Sequence, residues 1–290
     1  MTGELVQHDS DLEWRGLLIG RGTAFEVITL TGWDGAPPPR RVSIDRPGRH
    51  GTLPGELRAG ERIIEADIHI GHVPLSTADF RAARAALRSA LVWDENPTEE
   101  PLVVMLDGVA LMVQARVINF DVPTERQYDQ GYQTASIQWA ASDPRKFSLT
   151  LQQETAGLPE ASSSGLAFPL AFPLAFGAGQ AGGTISLTNS GNADVWPVFE
   201  VTGPITGPVI TDTDSGRALT FNSDFEILAG QTLRIDSDLG TAAIGPASRR
   251  NELASADWFS IPAGQTRQIR FTATSGTGLL TGYARDAYMT

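Results

Sequence analysis

The sequence predicts a mainly β protein with two domains: an N-terminal β-sandwich or barrel-like domain with one α-helix, and a C-terminal antiparallel β-sandwich. Short apolar segments rich in β-branched residues recur along the chain, and only one segment has helical spacing. Turn-forming residues punctuate the second half at the intervals typical of a sandwich. At 290 residues and 41% hydrophobic content, the chain can build two cores. We expect domains at 1–150 and 183–290, with a linker at 151–182.

The first domain begins with two strand-like apolar segments, Leu12–Ile19 and Ala24–Trp33. The stretch Asp34–Gly60 is rich in Gly, Pro and Arg, which predicts a long loop. In Ile64–Ile70 apolar residues alternate with Glu65, Asp67 and His69. This strand should therefore have one buried face and one solvent-exposed face. These segments predict one side of the first domain.

Ser76–Trp93 is the one segment that predicts a helix. Ser76 and Asp79 have the spacing of a capping box. An apolar stripe at helical spacing predicts that the helix lies as a lid on a sheet; it comprises Phe80, Ala83, Leu87, Ala90 and Leu91.

The rest of the first domain reads as a hairpin and a closing strand. Asp107-Gly108 is a two-residue turn signal, so Leu102–Leu106 and Val109–Val117 should pair. A polar loop or hairpin is expected at Pro123–Gly131. Tyr132–Ala140 then predicts the last strand of this domain.

The linker contains Ala161–Gly165, which is rich in Ser, and a nearly threefold Leu-Ala-Phe-Pro repeat. Its prolines exclude a helix interior and a central strand. Phe168, Phe172 and Phe176 either pack on their own domains or contact a neighbouring subunit.

The second domain predicts only strands, because apolar segments and turn residues alternate at short intervals. The expected strands are Thr184–Thr188, Val195–Val201, Val209–Thr211, Ala218–Phe221, Thr232–Ile235, Trp258–Ile261 and Gln268–Thr274.

Composition excludes several classes of protein. The net charge of -12 argues against specific nucleic-acid binding, which requires basic surface for the phosphates. The chain has no cysteine, so disulfides, thiolate metal sites and a Cys nucleophile are impossible. We expect neither a signal peptide in Met1–Trp14 nor a membrane helix, since no apolar run approaches about 20 residues.

No catalytic, cofactor-binding or metal-binding residue is predicted. The histidines are His8, His50, His69 and His72; the last two should face opposite sides of a strand and so form no chelating pair. Gly276, Gly278 and Gly282 loosely match a dinucleotide fingerprint, but no helix follows them.

Several carboxylate pairs would suit glycoside hydrolysis if a cleft brought them to the right separation. They stand in turn-like contexts, where Asp makes local hydrogen bonds, and we favour that interpretation. The pairs are Asp94 with Glu95, Glu99 with Glu100, Asp212 with Asp214, and Asp236 with Asp238.

A carbohydrate-binding module is the alternative to a structural role. Sugar sites use aromatic platforms, and the second domain offers Trp196, Trp258, Tyr283 and Tyr288. Aromatic residues of sandwiches more often serve packing.

The order of short motifs resembles the distal tail proteins of long-tailed bacteriophages over nearly the whole chain. In the first half the resemblance lies in Arg49-His50-Gly51, the strand with Ile64, Ile68 and Ile70, the single helix, Pro101–Leu106 and Ile137–Pro144. In the second half it lies in Phe168-Pro169, Phe172-Pro173, Gly183, Thr188–Asn192, Trp196-Pro197, Thr202–Pro204, Leu233–Asp236, Ile261–Gly264, Ile269–Phe271, Tyr283–Arg285 and Tyr288.

This resemblance implies a non-enzymatic virion component without cofactor. It implies that the first domain forms a homo-oligomeric ring, typically hexameric, between the tail tube and the tail tip or baseplate, and that the second is a galectin-like sandwich. Tail tube, tape measure and tail tip or hub proteins would be its partners, and assembly would occur in the host cytoplasm. We expect the ring contacts to come from edge strands, the Asp34–Gly60 stretch and the Pro123–Gly131 loop, because a closed ring needs two different surfaces per subunit.

Overall fold

The computed structural model describes residues 3–71, 75–93, 95, 98–123, 128, 130–159 and 183–290. The chain divides into two compact units, Met1–Leu149 with Tyr288–Thr290, and Thr150–Ala287. The Leu-Ala-Phe-Pro repeat with Phe168, Phe172 and Phe176 lies outside the described residues. The first part of the expected linker is a strand, Gln152–Gly157.

The first unit contains ten strands and one helix among its described residues. The strands are β1 Leu12–Trp14, β2 Leu17–Ile19, β3 Phe25–Thr31, β4 Pro39–Asp45, β5 Thr52–Ala59, β6 Arg62–Ile70, β7 Glu100–Leu106, β8 Val109–Asp121, β9 Gln133–Ala141 and β10 Lys146–Ser148; the helix, α1, is Thr77–Ala90. Seven strands follow the order β2-β1-β7-β8-β9-β6-β3, and β10 pairs with β8.

Strand β8 divides this path into two layers. Its first half, to Ala115, pairs with β7, and its second half, from Arg116, pairs with β9. Side chains of both layers meet in one core, where the rings of Trp14 and Trp139 lie 6.1 Å apart edge to face. The predicted sandwich with one helix is confirmed.

Helix α1 covers this core as predicted. Ser76 is its N-cap, and the Ser76 hydroxyl oxygen accepts a hydrogen bond from the Asp79 amide at 3.1 Å. Phe80, Leu87 and Leu91 are buried against the β-core. The apolar stripe therefore fixes the orientation of the helix.

The hairpin at Asp107-Gly108 is confirmed. Both residues have positive φ, 51° and 72°, as a two-residue hairpin turn demands. By contrast, the segment Leu12–Ile19 is two strands, because the chain reverses at Arg15-Gly16, where φ is also positive.

The predicted loop at Asp34–Gly60 is wrong, because this stretch contains a second hairpin. Strands β4 and β5 pair with each other and with no other described strand. The many Gly, Pro and Arg residues of this stretch resemble a loop. They hid the alternating apolar residues of the two strands. The hairpin's register shifts between Arg41 and Ser43.

The second unit is an antiparallel β-sandwich, as predicted. Its strands are β11 Gln152–Gly157, β12 Thr184–Asn189, β13 Val198–Thr202, β14 Ile205–Thr206, β15 Val209–Asp212, β16 Ala218–Phe221, β17 Glu226–Ile227, β18 Thr232–Asp236, β19 Thr241–Ile244, β20 Ala247–Ser248, β21 Leu253–Ala256, β22 Gln265–Thr272, β23 Ser275–Gly276 and β24 Leu279–Ala284; β25 Ala287–Tyr288 ends the series. The main sheets have the orders β11-β24-β13-β18-β19-β20 and β12-β22-β15-β16-β21, and β17-β14-β23 form a small third sheet.

One predicted strand of the second unit is wrong. Trp258–Ile261 makes a single bridge, between Ile261 and Val195. Phe259 and Ile261 are nevertheless buried. The alternation of apolar residues in Trp258–Ile261 therefore indicated core residues and not a strand. A short 3-10 helix at Arg250–Glu252 had no sequence signal.

Within the described residues no helix is long and apolar enough to cross a membrane.

Candidate functional site

The β4–β5 hairpin exposes large apolar side chains to solvent. Val42, Ile44, Leu53 and Leu57 are 66%, 68%, 50% and 69% exposed. Ile44 lies opposite Leu53 in the register, so these two side chains share a face of the hairpin. Several large apolar side chains exposed on one hairpin are typical of an interaction surface.

The hairpin is also basic, although the whole chain is acidic. Residues 39–59 carry five arginines and two carboxylates, a net charge of +3, within a chain of net charge -12. Arg58 and Glu56 form an exposed ion pair at 2.8 Å. The hairpin has three more guanidinium groups than carboxylates.

A second exposed apolar surface lies just beyond α1. Val92 and Trp93 are 60% and 67% exposed. The Arg15 guanidinium donates to the Val92 carbonyl at 3.1 Å and is held by Glu100 through contacts of 2.7 and 2.8 Å. We call Val92, Trp93 and the adjoining cleft the Trp93 platform; the cleft is lined by Trp14, Arg15, Thr98, Glu100 and Arg116, among others.

One face of the β3-β6-β9-β8 layer is acidic. Glu65 and Asp67 alternate with buried residues on β6, and Asp67 and Asp121 both lie opposite Ser136. Glu26 shares this face and lies 3.7 Å from the His69 ring nitrogen. Among the described residues, no Lys or Arg forms an ion pair with these four carboxylates.

The histidines are in separate environments. The His8 ring nitrogen lies 3.5 Å from Asp11, His50 is in the turn of the β4–β5 hairpin, and the His69 ring packs at 4.8 Å from Tyr132. His72 lies outside the described residues. In the described part of the chain, no three His, Asp or Glu side chains are grouped as metal ligands.

Among the carboxylate pairs from the sequence analysis, Asp212 and Asp236 accept local hydrogen bonds in turns. Asp236 accepts from the Asp238 and Leu239 amides, both at 3.0 Å. Asp212 accepts from the Asp214 amide at 3.1 Å, and Asp214 accepts from the Gln268 amide. Glu99 and Glu100 contact distant parts of the chain: Glu99 accepts from the Ser142 amide, and Glu100 forms an ion pair with Arg15. Glu95 is exposed, and Asp94 is not among the described residues.

The aromatic candidates belong to different elements. Tyr283 lies on β24, where its hydroxyl donates to Glu200 at 3.2 Å, and Glu200 also pairs with Arg234 at 2.9 Å. Burial raises the pKa of Tyr283, and the charge of Glu200 raises it further. Trp258 precedes buried Phe259, and its carbonyl accepts from Arg217. Trp196 is half-buried, and Tyr288 lies on β25.

Sequence reasoning missed the exposed hairpin and the Trp93 platform. The available signals were the alternation of Val42 and Ile44, and the position of Trp93 off the apolar stripe of α1. Neither pattern says whether a side chain is exposed.

Comparisons with known proteins extend the fold description. No protein-family model matches the sequence, and no curated protein matches it. The crystal structure of SPP1 Dit, described as a paradigm of hub adsorption apparatus in phages infecting Gram-positive bacteria, matches with a TM-score of 0.61 and 11% identity over 95% of this chain and 98% of that chain. A chain of the phage P2 baseplate in its activated conformation with Ca has a TM-score of 0.48 and 10% identity, covering 90% and 91% of the two chains. The fold that the resemblance to distal tail proteins implied is therefore confirmed: this chain is similar in fold to SPP1 Dit over nearly its whole length.

Proposed function

We propose that the chain is a distal tail protein, a non-enzymatic component of a phage tail tip. Its first unit forms a hexameric ring between the tail tube and the tip or baseplate, and the ring scaffolds the host-recognition proteins. The fold likeness to SPP1 Dit supports this proposal.

The observation that carries the proposal is the isolated β4–β5 hairpin. Two strands that pair only with each other are marginal in water unless other surfaces cover them. Four large apolar side chains are exposed on this hairpin. Contact with another subunit would bury them and stabilise both molecules.

The edges of the first unit fit the same role. Among the described strands the path ends at β2 and β3, so this part of the chain has two sheet edges. Unprotected edges promote uncontrolled association, so proteins cover them or pair them. Because the two ends of the path differ, a contact between them is heterologous, and a rotation can close it into a ring.

Replacing the hairpin tests the proposal without disturbing the core. The Gly60 amide donates to the Pro38 carbonyl at 2.7 Å, so Asn-Gly can join these two residues as a two-residue turn in place of 39–59. The intact chain should form annuli of six 31.0 kDa copies, seen by electron microscopy and sedimentation. The variant should fold and remain a monomer.

A matched variant separates loss of apolar contact from loss of the hairpin. Changing Val42, Ile44, Leu53 and Leu57 to Ser keeps the hairpin and should still prevent ring formation. Changing Leu239, which is 72% exposed in the second unit, to Ser should leave rings intact. If the intact chain is a monomer both after purification and in isolated tails, the proposed ring is refuted.

A further inference from the structure

We propose that Arg62 is a positioning residue for ring assembly: it holds the root of the β4–β5 hairpin, so that the hairpin leaves the first unit in one fixed direction. The root consists of the two connections that join the hairpin to the unit, residues 32–38 and residues 60–61. This inference rests on the proposed function, in which the hairpin contacts a neighbouring subunit.

The hairpin is not held along its length by the rest of the described first unit. All seven residues of β4 are exposed, and so are seven of the eight residues of β5. Among the described strands, β4 and β5 pair only with each other. Because side-chain packing is slight and strand pairing to the unit is missing here, the direction of the hairpin depends on the contacts at its root.

Arg62 lies at the centre of the root. It is the first residue of β6, where the chain leaves the hairpin, and its side chain is buried. Its guanidinium donates to the carbonyls of Gly32 at 2.8 Å, Trp33 at 3.1 Å and Gly35 at 3.1 Å. All three acceptors belong to the longer connection. One side chain therefore ties the segment that enters the hairpin to the strand that leaves it.

The same guanidinium is also bonded outside the hairpin. It donates to the carbonyl of Pro144 at 2.8 Å, between β9 and β10, and to that of Met289 at 2.6 Å. Lys146 adds a second contact, since its ammonium donates to the Trp33 carbonyl at 3.3 Å and lies 5.5 Å from the centre of the buried Trp33 ring. The root is thus connected to the unit on several sides.

A guanidinium suits this role better than an apolar side chain. Burying a charge costs stability that an apolar residue of similar size does not cost. The donors of a guanidinium are fixed in one plane and point in different directions, so they can orient several carbonyls at once. An apolar residue could fill the same space but could not direct the three carbonyls of the longer connection.

A small rotation at the root would move the hairpin tip by more than a contact distance. Seven residues of β4 span about 23 Å, so a rotation of about 20° displaces the tip by about 8 Å. Apolar side chains are in contact only within about 4.5 Å. A hairpin that swings freely would also lose more conformational freedom on docking, which weakens association.

Fluorescent labels on the hairpin and on α1 test this role, because the chain has no cysteine of its own. Thr52→Cys at the hairpin tip and Ser89→Cys on α1 are both at exposed positions. Donor lifetimes in single molecules, diluted until only separate chains remain, give the spread of distances between the two dyes. The spread should be narrow with Arg62 and at least about twofold wider with Arg62→Met, given a hairpin of about 23 Å.

Two controls separate positioning from general loosening. Arg40→Met replaces an exposed arginine of the hairpin and should leave the spread unchanged. Dyes at Ser89 and Asn119, both exposed and outside the hairpin, should keep their spread with Arg62→Met. Arg62→Lys keeps the charge without the planar set of donors. It should give an intermediate spread, and it replaces Arg62→Met in the test if that variant does not fold.

Assembly gives the second readout. Arg62→Met should raise the subunit concentration at which half of the chains are in rings by about tenfold or more, because the hairpin is no longer preorganised. Sedimentation measures this concentration, and Arg270→Met in the second unit, at an exposed position, should leave it unchanged.

A wide spread in the chain with Arg62, an unchanged spread in the Arg62 variants, or unchanged assembly of these variants would overturn the positioning role and leave the ring standing. An intact chain that forms no ring, either purified or in isolated tails, would overturn the proposed function and the role of Arg62 in assembly with it.

Discussion

Single residues hold the start of the first unit in place, and Asp11 is the clearest case. Its carboxylate is buried and accepts hydrogen bonds from the amides of Gln7 at 3.0 Å, His8 at 2.9 Å and Arg21 at 2.9 Å. Burial tends to raise the pKa of Asp11, but these three donors outweigh it, and the pKa lies below its ordinary value of 3.8. The ionised form is therefore the one that stabilises the fold.

We predict that Asp11→Asn lowers the free energy of unfolding by about 2 kcal/mol or more at neutral pH, because it replaces a charged acceptor of several amides. A depressed pKa gives stability that is complete above 3.8 and is lost as the pH falls through the lower folded value. The difference between wild type and variant should therefore shrink below about pH 4. Urea unfolding across this range measures it.

Asp224→Asn is the control for this prediction, because Asp224 is exposed. Its unfolding free energy should match that of wild type at neutral pH. A gap between wild type and Asp11→Asn that stays constant down to the lowest pH would contradict the assigned role of the carboxylate.

At the level of elements, the sequence predicted what periodicity and turn chemistry encode. The stripe from Phe80 to Leu91 and the turn at Asp107-Gly108 specified α1 and the β7–β8 hairpin because local geometry decides both. The β4–β5 hairpin escaped prediction because Gly55 and its neighbours resemble a loop. A Cβ on Gly55 would lie 2.3 Å from the Val42 carbonyl, so glycine here permits close strand approach and does not mark a loop.

The candidate site was harder to predict than the fold. The sequence analysis did place ring contacts in Asp34–Gly60, and this remains a prediction. The exposure of Trp93 could not be foreseen, because a Trp at the end of a helix is as compatible with the core as with solvent. Only the hydrogen bonds from Trp14 and Arg15 show that the backbone before Trp93 is fixed.

Packing between the two sheets of the second unit gives a prediction at Gly282 on β24. A Cβ there would lie 2.4 Å from Cδ1 of Ile185 and 3.1 Å from Cδ1 of Leu187. Gly282→Ala should therefore cost about 1–3 kcal/mol through overpacking. Ile185→Val, which removes the closest methyl group, should cost about 1 kcal/mol alone.

The double variant should cost less than the sum of the single changes, because the second change provides the space that the first one needs. Thermal or urea unfolding of all four proteins completes the cycle. Strict additivity would show that the alanine is accommodated in some other way.

The first unit combines residues from both ends of the sequence, since Tyr288–Thr290 belong to it together with Met1–Leu149. Arg62 is 1% exposed, and burial lowers its pKa while the charge of Asp34 partly offsets this effect. Its guanidinium donates to five backbone carbonyls, those of Pro144, Gly32, Trp33, Gly35 and Met289. The bond to Met289 joins residues 227 positions apart.

We predict that deleting Tyr288–Thr290 destabilises the first unit by about 1.5–3 kcal/mol, because it removes an acceptor from a buried charged donor. Met289→Ala keeps the backbone carbonyl, which accepts at 2.6 Å, and should be close to neutral. In an Arg62→Met background the deletion should cost much less, since the donor is already absent. Urea unfolding of these proteins measures the coupling, and an equal cost in both backgrounds would show that the chain end stabilises the unit without Arg62.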